Sequence, residues 1–255
     1  MTVNRVCGWG WVLLAALALA GPASAQDAAA ADGPLSELYR VTTLRAAPGR
    51  LLDVISLYQR QADAGQWQAR GEAAPMLMRH SQGDHWDLLV LQPVGSFAGY
   101  FSAESLARRE AGGAAAFRAA LDEMVAFEED LFASGPPRAQ VEAAYRDNGF
   151  FHIEMFHALH GKHAELLHQR RIENDYLVAV GIPANLIWVG ELGSDVDVFT
   201  IGFYPSIVEY AAPIKVSAEA AETAAKAAGF QGRAFIGTYL RELLASHHDT
   251  LAGKP

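Results

Sequence analysis

A chain whose second half repeats the order of elements in its first is constrained to fold as two like units that cover one another. Tyr39-Arg40-Val41-Thr42-Thr43-Leu44-Arg45-Ala46 with Gly49 aligns with Phe151-His152-Ile153-Glu154-Met155-Phe156-His157-Ala158 with Gly161, 112 residues on. Gly83 through Asp87 to Leu91, followed by Ser96 and Tyr100, aligns with Gly193 through Asp197 to Ile201, followed by Ser206 and Tyr210, 110 residues on. Leu131, Ala133 and Ser134 are set against Leu243, Ala245 and Ser246, again at 112. Identities are few. The reading rests on the same succession of strand, helix, hairpin and helix, met twice in order.

Each half is legible by period. Val41 to Leu44 is β-prone and ends at Pro48-Gly49, after which Leu51, Val54, Ile55, Tyr58 and Ala62 recur at helical spacing. Met76 to Arg79 and Trp86 to Leu91 flank the turn cluster Ser81-Gln82-Gly83-Asp84, which predicts a hairpin. Leu186 to Val189, Gly193-Ser194-Asp195 and Val196 to Phe203 repeat it. Phe117, Leu121, Met124 and Val125, and later Ile236, Leu240, Leu243, Leu244 and Leu251, are spaced as helices, so each half is expected to close on a helix. Periodicity leaves open a short fourth strand near Phe127 to Phe132. Ser96 and Ser206 stand where helix N-caps are expected, and Ala-rich Ser217 to Ala228 is a strong helix former. The fold class expected is α+β: two tandem ferredoxin-like units, residues 37–136 and 149–255, packed sheet to sheet and joined by a linker helix over 137–148. Each unit has one sheet face that only the other unit, or a second copy of the chain in a homodimer, can cover.

Residues 1–25 have the form of a secretory signal: Arg5, an apolar run from Trp11 to Ala20, and the small-residue site Ala23-Ser24-Ala25. Cleavage before Gln26, a disordered linker over 26–36 and a periplasmic or secreted location are expected. Cys7, the sole cysteine, would be removed with the signal. The apolar run is too short to cross about 30 Å of hydrocarbon, so no membrane association is expected after processing. With 51% hydrophobic and 19% charged residues the chain is a folded globular one. Its net charge of -9, with no basic cluster, repels phosphates and argues against a nucleic-acid partner. No Gly-x-Gly-x-x-Gly, Walker loop or Gly-x-Ser-x-Gly is present, so no cofactor is implied.

Strand faces point to a site. Phe151, Ile153 and Met155 make one apolar face, suited to covering helices, while Phe150, His152, Glu154 and Phe156 make a mixed one. In the first half Tyr39, Val41 and Thr43 correspond to the apolar set, and Leu38, Arg40, Thr42 and Leu44 to the mixed set. If the mixed faces meet inside, a His, a Glu and an Arg share a partly dry space, where burial without a partner costs several kcal/mol. Two readings stay open, a bound small molecule or an Arg40–Glu154 ion pair. In the ligand reading His152 and Glu154 are the catalytic candidates, and Arg40, Thr42, Phe156, Tyr176, Trp86 and Trp188 the ligand-binding ones. His152, His157, His160, His163 and His168 crowd one segment without metal-ligand spacing, and no metal site is assigned; His152, Glu154 and one of His247 or His248 are the only set that suggests one.

The run Phe151 to Ala164 continuing into Arg170-Arg171-Ile172-Glu173-Asn174-Asp175-Tyr176-Leu177 resembles the dimeric α+β-barrel superfamily, which includes NIPSNAP-like proteins, antibiotic-biosynthesis monooxygenases and EthD-like proteins. The resemblance spans about residues 37 to 251 and carries no diagnostic catalytic motif. It implies a pseudo-dimeric barrel with a pocket between the units for a small, largely apolar organic ligand. It also implies a cofactor-independent enzyme of monooxygenase or isomerase type, with Glu154 or His152 as base, or a non-catalytic binding or interaction module.

Overall fold

The computed structural model describes residues 35–255, so the expected signal segment and nearly all of the linker lie outside the described residues. β1 (Glu37–Ala46) leads through α1 (Leu51–Asp63) and α2 (Gln66–Ala69) to the hairpin β2 (Met76–Gln82) and β3 (Leu88–Gly95). Then come α3 (Phe97–Tyr100), α4 (Ala103–Ala111), α5 (Ala114–Asp122) and β4 (Val125–Gly135). α6 (Arg138–Asp147) crosses to β5 (Phe150–Ala158), followed by α7 (His163–Ala179), β6 (Leu186–Leu192) and β7 (Val198–Tyr204). α8 (Ile207–Tyr210), α9 (Ala218–Ala227), α10 (Phe235–Leu243) and β8 (Leu244–Gly253) complete the chain. Ser96, Ser206 and Ser217 cap α3, α8 and α9, each side-chain oxygen accepting from a first-turn N–H.

All strands join one closed antiparallel barrel in the order β1-β3-β2-β8-β5-β7-β6-β4. This overturns the expectation of two ferredoxin-like units, each with its own sheet, stacked face to face. The cause is the last strand of each half. β4 runs 11 residues where the sequence left at most a short strand, and β8 takes Leu244 and Leu251 out of the expected helix. β4 pairs with β6 at Ala133↔Gly190 and Ser134↔Val189, and β8 pairs with β2 at Arg79↔Gly253 and His80↔Ala252. Each half thus closes the open edge of the other, satisfying N–H and C=O groups that two separate sheets would leave unpaired. Opposite β1, Val41 and Tyr39 face Leu131 and Ala133; opposite β5, Ile153 and Phe151 face Thr250 and Ala252. The counterpart of Leu131 is therefore Thr250, not Leu243.

Matching devices hold the two halves. Asp87 Oδ2 accepts from Ala46 N at 2.8 Å, and Asp197 Oδ2 from Ala158 N at 2.7 Å, each tying a hairpin to the end of the preceding strand. Gly83 (φ 112°) and Gly193 (φ 116°) lie so close to the Asp249 and Asp130 carbonyls that a Cβ would fall within 1.9 and 2.3 Å of them. Only glycine fits at these crossings.

The barrel interior is packed mainly with apolar side chains, with Thr250 buried beside Ile153. Tyr39, Met78, Leu89, Leu91, Phe151, Ile153, Trp188, Phe199 and Ile201 are at most 1% exposed within one cluster. An eight-stranded barrel is just wide enough for side chains to fill it, which leaves no room for hydrated charge. α6 closes one end: Val141 joins the interior cluster, Tyr145 stacks on Phe151 at 5.5 Å, and its hydroxyl donates to Leu77 O at 2.8 Å. The helices lie outside, over Leu44, Leu88 and Val90 in the first half and over Phe156, Ile187 and Val198 in the second.

Candidate functional site

The strand faces are used the other way round from the sequence expectation. Phe151, Ile153 and Met155 point into the barrel with Tyr39 and Val41, whereas Arg40, Thr42, His152 and Glu154 point outward, beneath the helices. The mixed faces therefore never meet, and the Arg40–Glu154 pair does not form. Arg40 instead forks onto Asp130, Nε to Oδ1 at 3.1 Å and Nη2 to Oδ2 at 2.7 Å, with Thr42 Oγ1 donating to Oδ1 at 2.5 Å. Each half carries its own cavity between sheet and helices, in place of the expected pocket between the units.

The cavity of the second half measures about 640 Å³ and is lined by His152 and Glu154 on β5 and by Leu177, Val180, Ile182, Tyr204, Tyr210 and Ile214. Glu154 is held by Arg170, whose Nη1 lies 3.4 Å from Oε2, and by Thr200 Oγ1 at 3.3 Å. Arg170 also donates to Glu173. His152 Nε2 lies 3.4 Å from Asp249 on β8, the residue paired with Glu154 in register, and its ring packs 5.2 Å from Tyr210. Asn174 on α7 clamps the loop that forms one wall, its side chain exchanging hydrogen bonds with both backbone groups of Asn185.

Burial raises the Glu154 carboxyl above its usual 4.5, and Glu173 and Asp249 push the same way while Arg170 and His152 pull it back. For His152 burial opposes the charged ring, but the hydrogen bond to Asp249 and the charges of Glu154 and Asp249 outweigh it and raise the pKa above 6.5. The His152 hydrogen bond holds Asp249 down at about 2. The charged and titratable groups around His152 are thus Glu154, Asp249, Glu173, Arg170, Tyr204, Glu209, Tyr210 and Lys215, with His247 Nε2 3.3 Å from Asp249. A raised His152 stabilises the fold below pH 6.5, and that contribution is lost as pH rises through its folded value. A depressed Asp249 stabilises above 3.8, and that contribution is lost as pH falls toward about 2. Asp249→Asn is therefore expected to lower the His152 pKa in an NMR titration and to flatten the loss of stability as pH rises above 6.5. An unmoved His152 titration would refute the pairing.

His152, Glu154 and Asp249 offer ligand atoms within 4.8 Å of one another, with Asp249 in the place the sequence gave to His247 or His248. Arg170 is shared between Glu154 and Glu173, and His152 meets Asp249. Other histidines are dispersed: His157 meets Asp195 at 3.3 Å, His163 meets Asp197 at 3.9 Å and His248 meets Asp84 at 3.9 Å.

Of the remaining sequence candidates, Arg40 and Thr42 line the cavity of the first half. Trp86 and Trp188 lie in the barrel interior, their indole N–H groups without acceptors. Phe156 packs beneath Arg170, 4.7 Å from ring centroid to guanidinium, and Tyr176 sits in the cluster beneath α9. Arg170 itself is 1% exposed at its side chain. The helix period carries the signal for it: Leu166, Arg170, Glu173 and Leu177 share one face of α7, and Leu166 is fully buried.

No protein-family model and no curated protein matches the chain. Among solved structures it is similar to an anthrone oxidase-like protein, with 12% identity over 86% of this chain and 92% of that one and a TM-score of 0.50. It is also similar to a candidate monooxygenase from Lactobacillus acidophilus NCFM, with 9% identity over 85% of this chain and 93% of that one and a TM-score of 0.50. These likenesses are of fold alone, an α+β barrel.

Proposed function

We propose that the cavity of the second half holds a small, largely apolar organic ligand and that the chain is a cofactor-independent enzyme of monooxygenase type, with Glu154 as base. The observation that carries this is a buried carboxylate of raised pKa beside a histidine of raised pKa, both on one wall of a cavity of about 640 Å³ whose other walls are mostly apolar. Glu154 takes a proton from an acidic ring C–H, and protonated His152 stabilises the anion left behind. Dioxygen is the oxidant: the ring CH₂ becomes C=O with one oxygen atom, and the other leaves as water with both hydrogens. The fold likeness to an anthrone oxidase-like protein and to a candidate monooxygenase supports this choice over isomerase chemistry. We read the two halves as tandem copies of one unit, and the chain as exported with Gln26 first.

Native mass spectrometry of the exported protein reads both its N-terminal residue and any ligand carried with it. Anthrone is the probe for turnover. Glu154→Gln should keep the fold, because Arg170 retains Glu173, while dioxygen consumption with anthrone falls by roughly 100-fold. Binding of anthrone without dioxygen uptake in the unmodified protein would favour the alternative, a non-catalytic binding module, for which the Arg170 anchor on Glu154 is the supporting contact.

A further inference from the structure

The cavity of the first half differs from its counterpart in size and in charge. It measures about 210 Å³, and four guanidinium groups, Arg40, Arg70, Arg109 and Arg118, line it against two carboxylates, Glu72 and Glu128. Asp130 and Asp122, outside the lining, bring the carboxylates around these arginines to four. Two of the four arginines are neutralised. Arg40 forks onto Asp130, and Arg118 binds Glu128 at 2.6 Å as well as Asp122.

Of the other two, Arg109 has a more distant partner and Arg70, among the described residues, has no carboxylate within 4 Å. Arg109 donates to Tyr100 O at 2.7 Å and meets Glu72 only at 3.7 Å. Arg70 is 3% exposed, and its hydrogen bonds run to neutral oxygens alone: Gln61 Oε1 at 2.5 Å, Gly112 O at 3.1 Å and Gly113 O at 3.5 Å. Among the described residues no carboxylate lies within 4 Å of its guanidinium. Burial accordingly lowers its pKa, with only Glu72 opposing. A buried cation without a counter-ion is costly unless a ligand brings one. Gly112 fixes the arginine in place, since a Cβ there would fall 2.6 Å from Arg70 Cγ.

The walls select what carries the anion. Trp67 and Phe117 each lie 5.0 Å from the Arg70 guanidinium, and Tyr58 stacks on Trp67 at 6.1 Å. The Trp67 indole N–H is buried without an acceptor. Aromatic faces suit a ring, and a guanidinium fork suits a flat pair of oxygens better than a tetrahedral anion. We propose that this cavity is a second ligand site, distinct from the one at His152 and Glu154, and that it takes a small aromatic carboxylate with its acid toward Arg70 and Arg109 and its ring against Trp67 and Phe117.

The test uses benzoate, with benzamide as its uncharged counterpart, titrated calorimetrically into the full chain at low salt. Benzoate should bind one-to-one and benzamide at least roughly tenfold more weakly; Arg70→Gln should weaken benzoate by a similar factor. Glu154→Gln should bind benzoate as the unmodified protein does, which separates this site from the proposed catalytic one. If Arg70→Gln melts well below the unmodified protein, Arg109→Gln takes its place. Intermolecular NOEs from benzoate ring protons to the Trp67 indole need no variant at all. Equal binding of benzoate and benzamide, loss of benzoate binding in Glu154→Gln, or absence of the Trp67 NOEs would each overturn the proposal.

Discussion

Trp188→Ala is expected to destabilise the protein by about 3–5 kcal/mol, read from denaturant or thermal unfolding. Trp188 is fully buried at the centre of the barrel, stacked on Phe199 with centroids 4.9 Å apart and meeting Tyr39 edge-on at 5.8 Å. A Cβ on Gly135 would lie 2.1 Å from its Cδ1, so the indole is also packed against backbone of the strand that carries the first half into the second. Truncation leaves a cavity that a closed ring of paired strands cannot collapse to fill. Trp188→Phe should cost much less, under about 1.5 kcal/mol, since it keeps an aromatic ring and removes an N–H that has no acceptor. A loss below about 1 kcal/mol for the alanine variant would mean that the interior is not packed as described.

The second large effect belongs to Arg170. Arg170→Met should cost about 3–5 kcal/mol, because it leaves Glu154 and Glu173 facing one another with no guanidinium between them. Adding Glu154→Gln should restore a substantial part of that loss, since the remaining carboxylate, Glu173, is the more exposed of the two. Additive losses in the double variant would show that Arg170 and Glu154 are not coupled. Arg40→Met combined with Glu154→Gln, by contrast, should show simple additivity, because Arg40 belongs to Asp130 on the opposite side of the barrel.

Much of the local structure was legible because it is written at short range. The hairpins at Ser81–Asp84 and Gly193–Asp195, the serine caps and the helices after Gly49 and Gly161 all follow from period and turn chemistry within a few residues. β8 was not legible. Only Thr250 and Ala252 of its ten residues are buried, so Leu244 to Asp249 lack the alternation that marks a strand. Arg170 was missed for a related reason: beside Arg171 and Glu173 it has the composition of a solvated helix face, and only its spacing from Leu166 and Leu177 places it inward.

What the sequence determined by itself was the first strand, the following helix and the hairpin of each half, and the fact that His152 and Glu154 share one side of a strand as Arg40 and Thr42 do. The tertiary structure alone decided which side that is. A strand with one apolar and one mixed face can turn either toward helices, and closure into a single barrel sets the choice: the interior admits only side chains that need no water, so the charged faces lie outward. There each charge takes its partner from its own half, Asp130 for Arg40 and Arg170 for Glu154, and two unlike cavities arise where the sequence suggested one shared pocket.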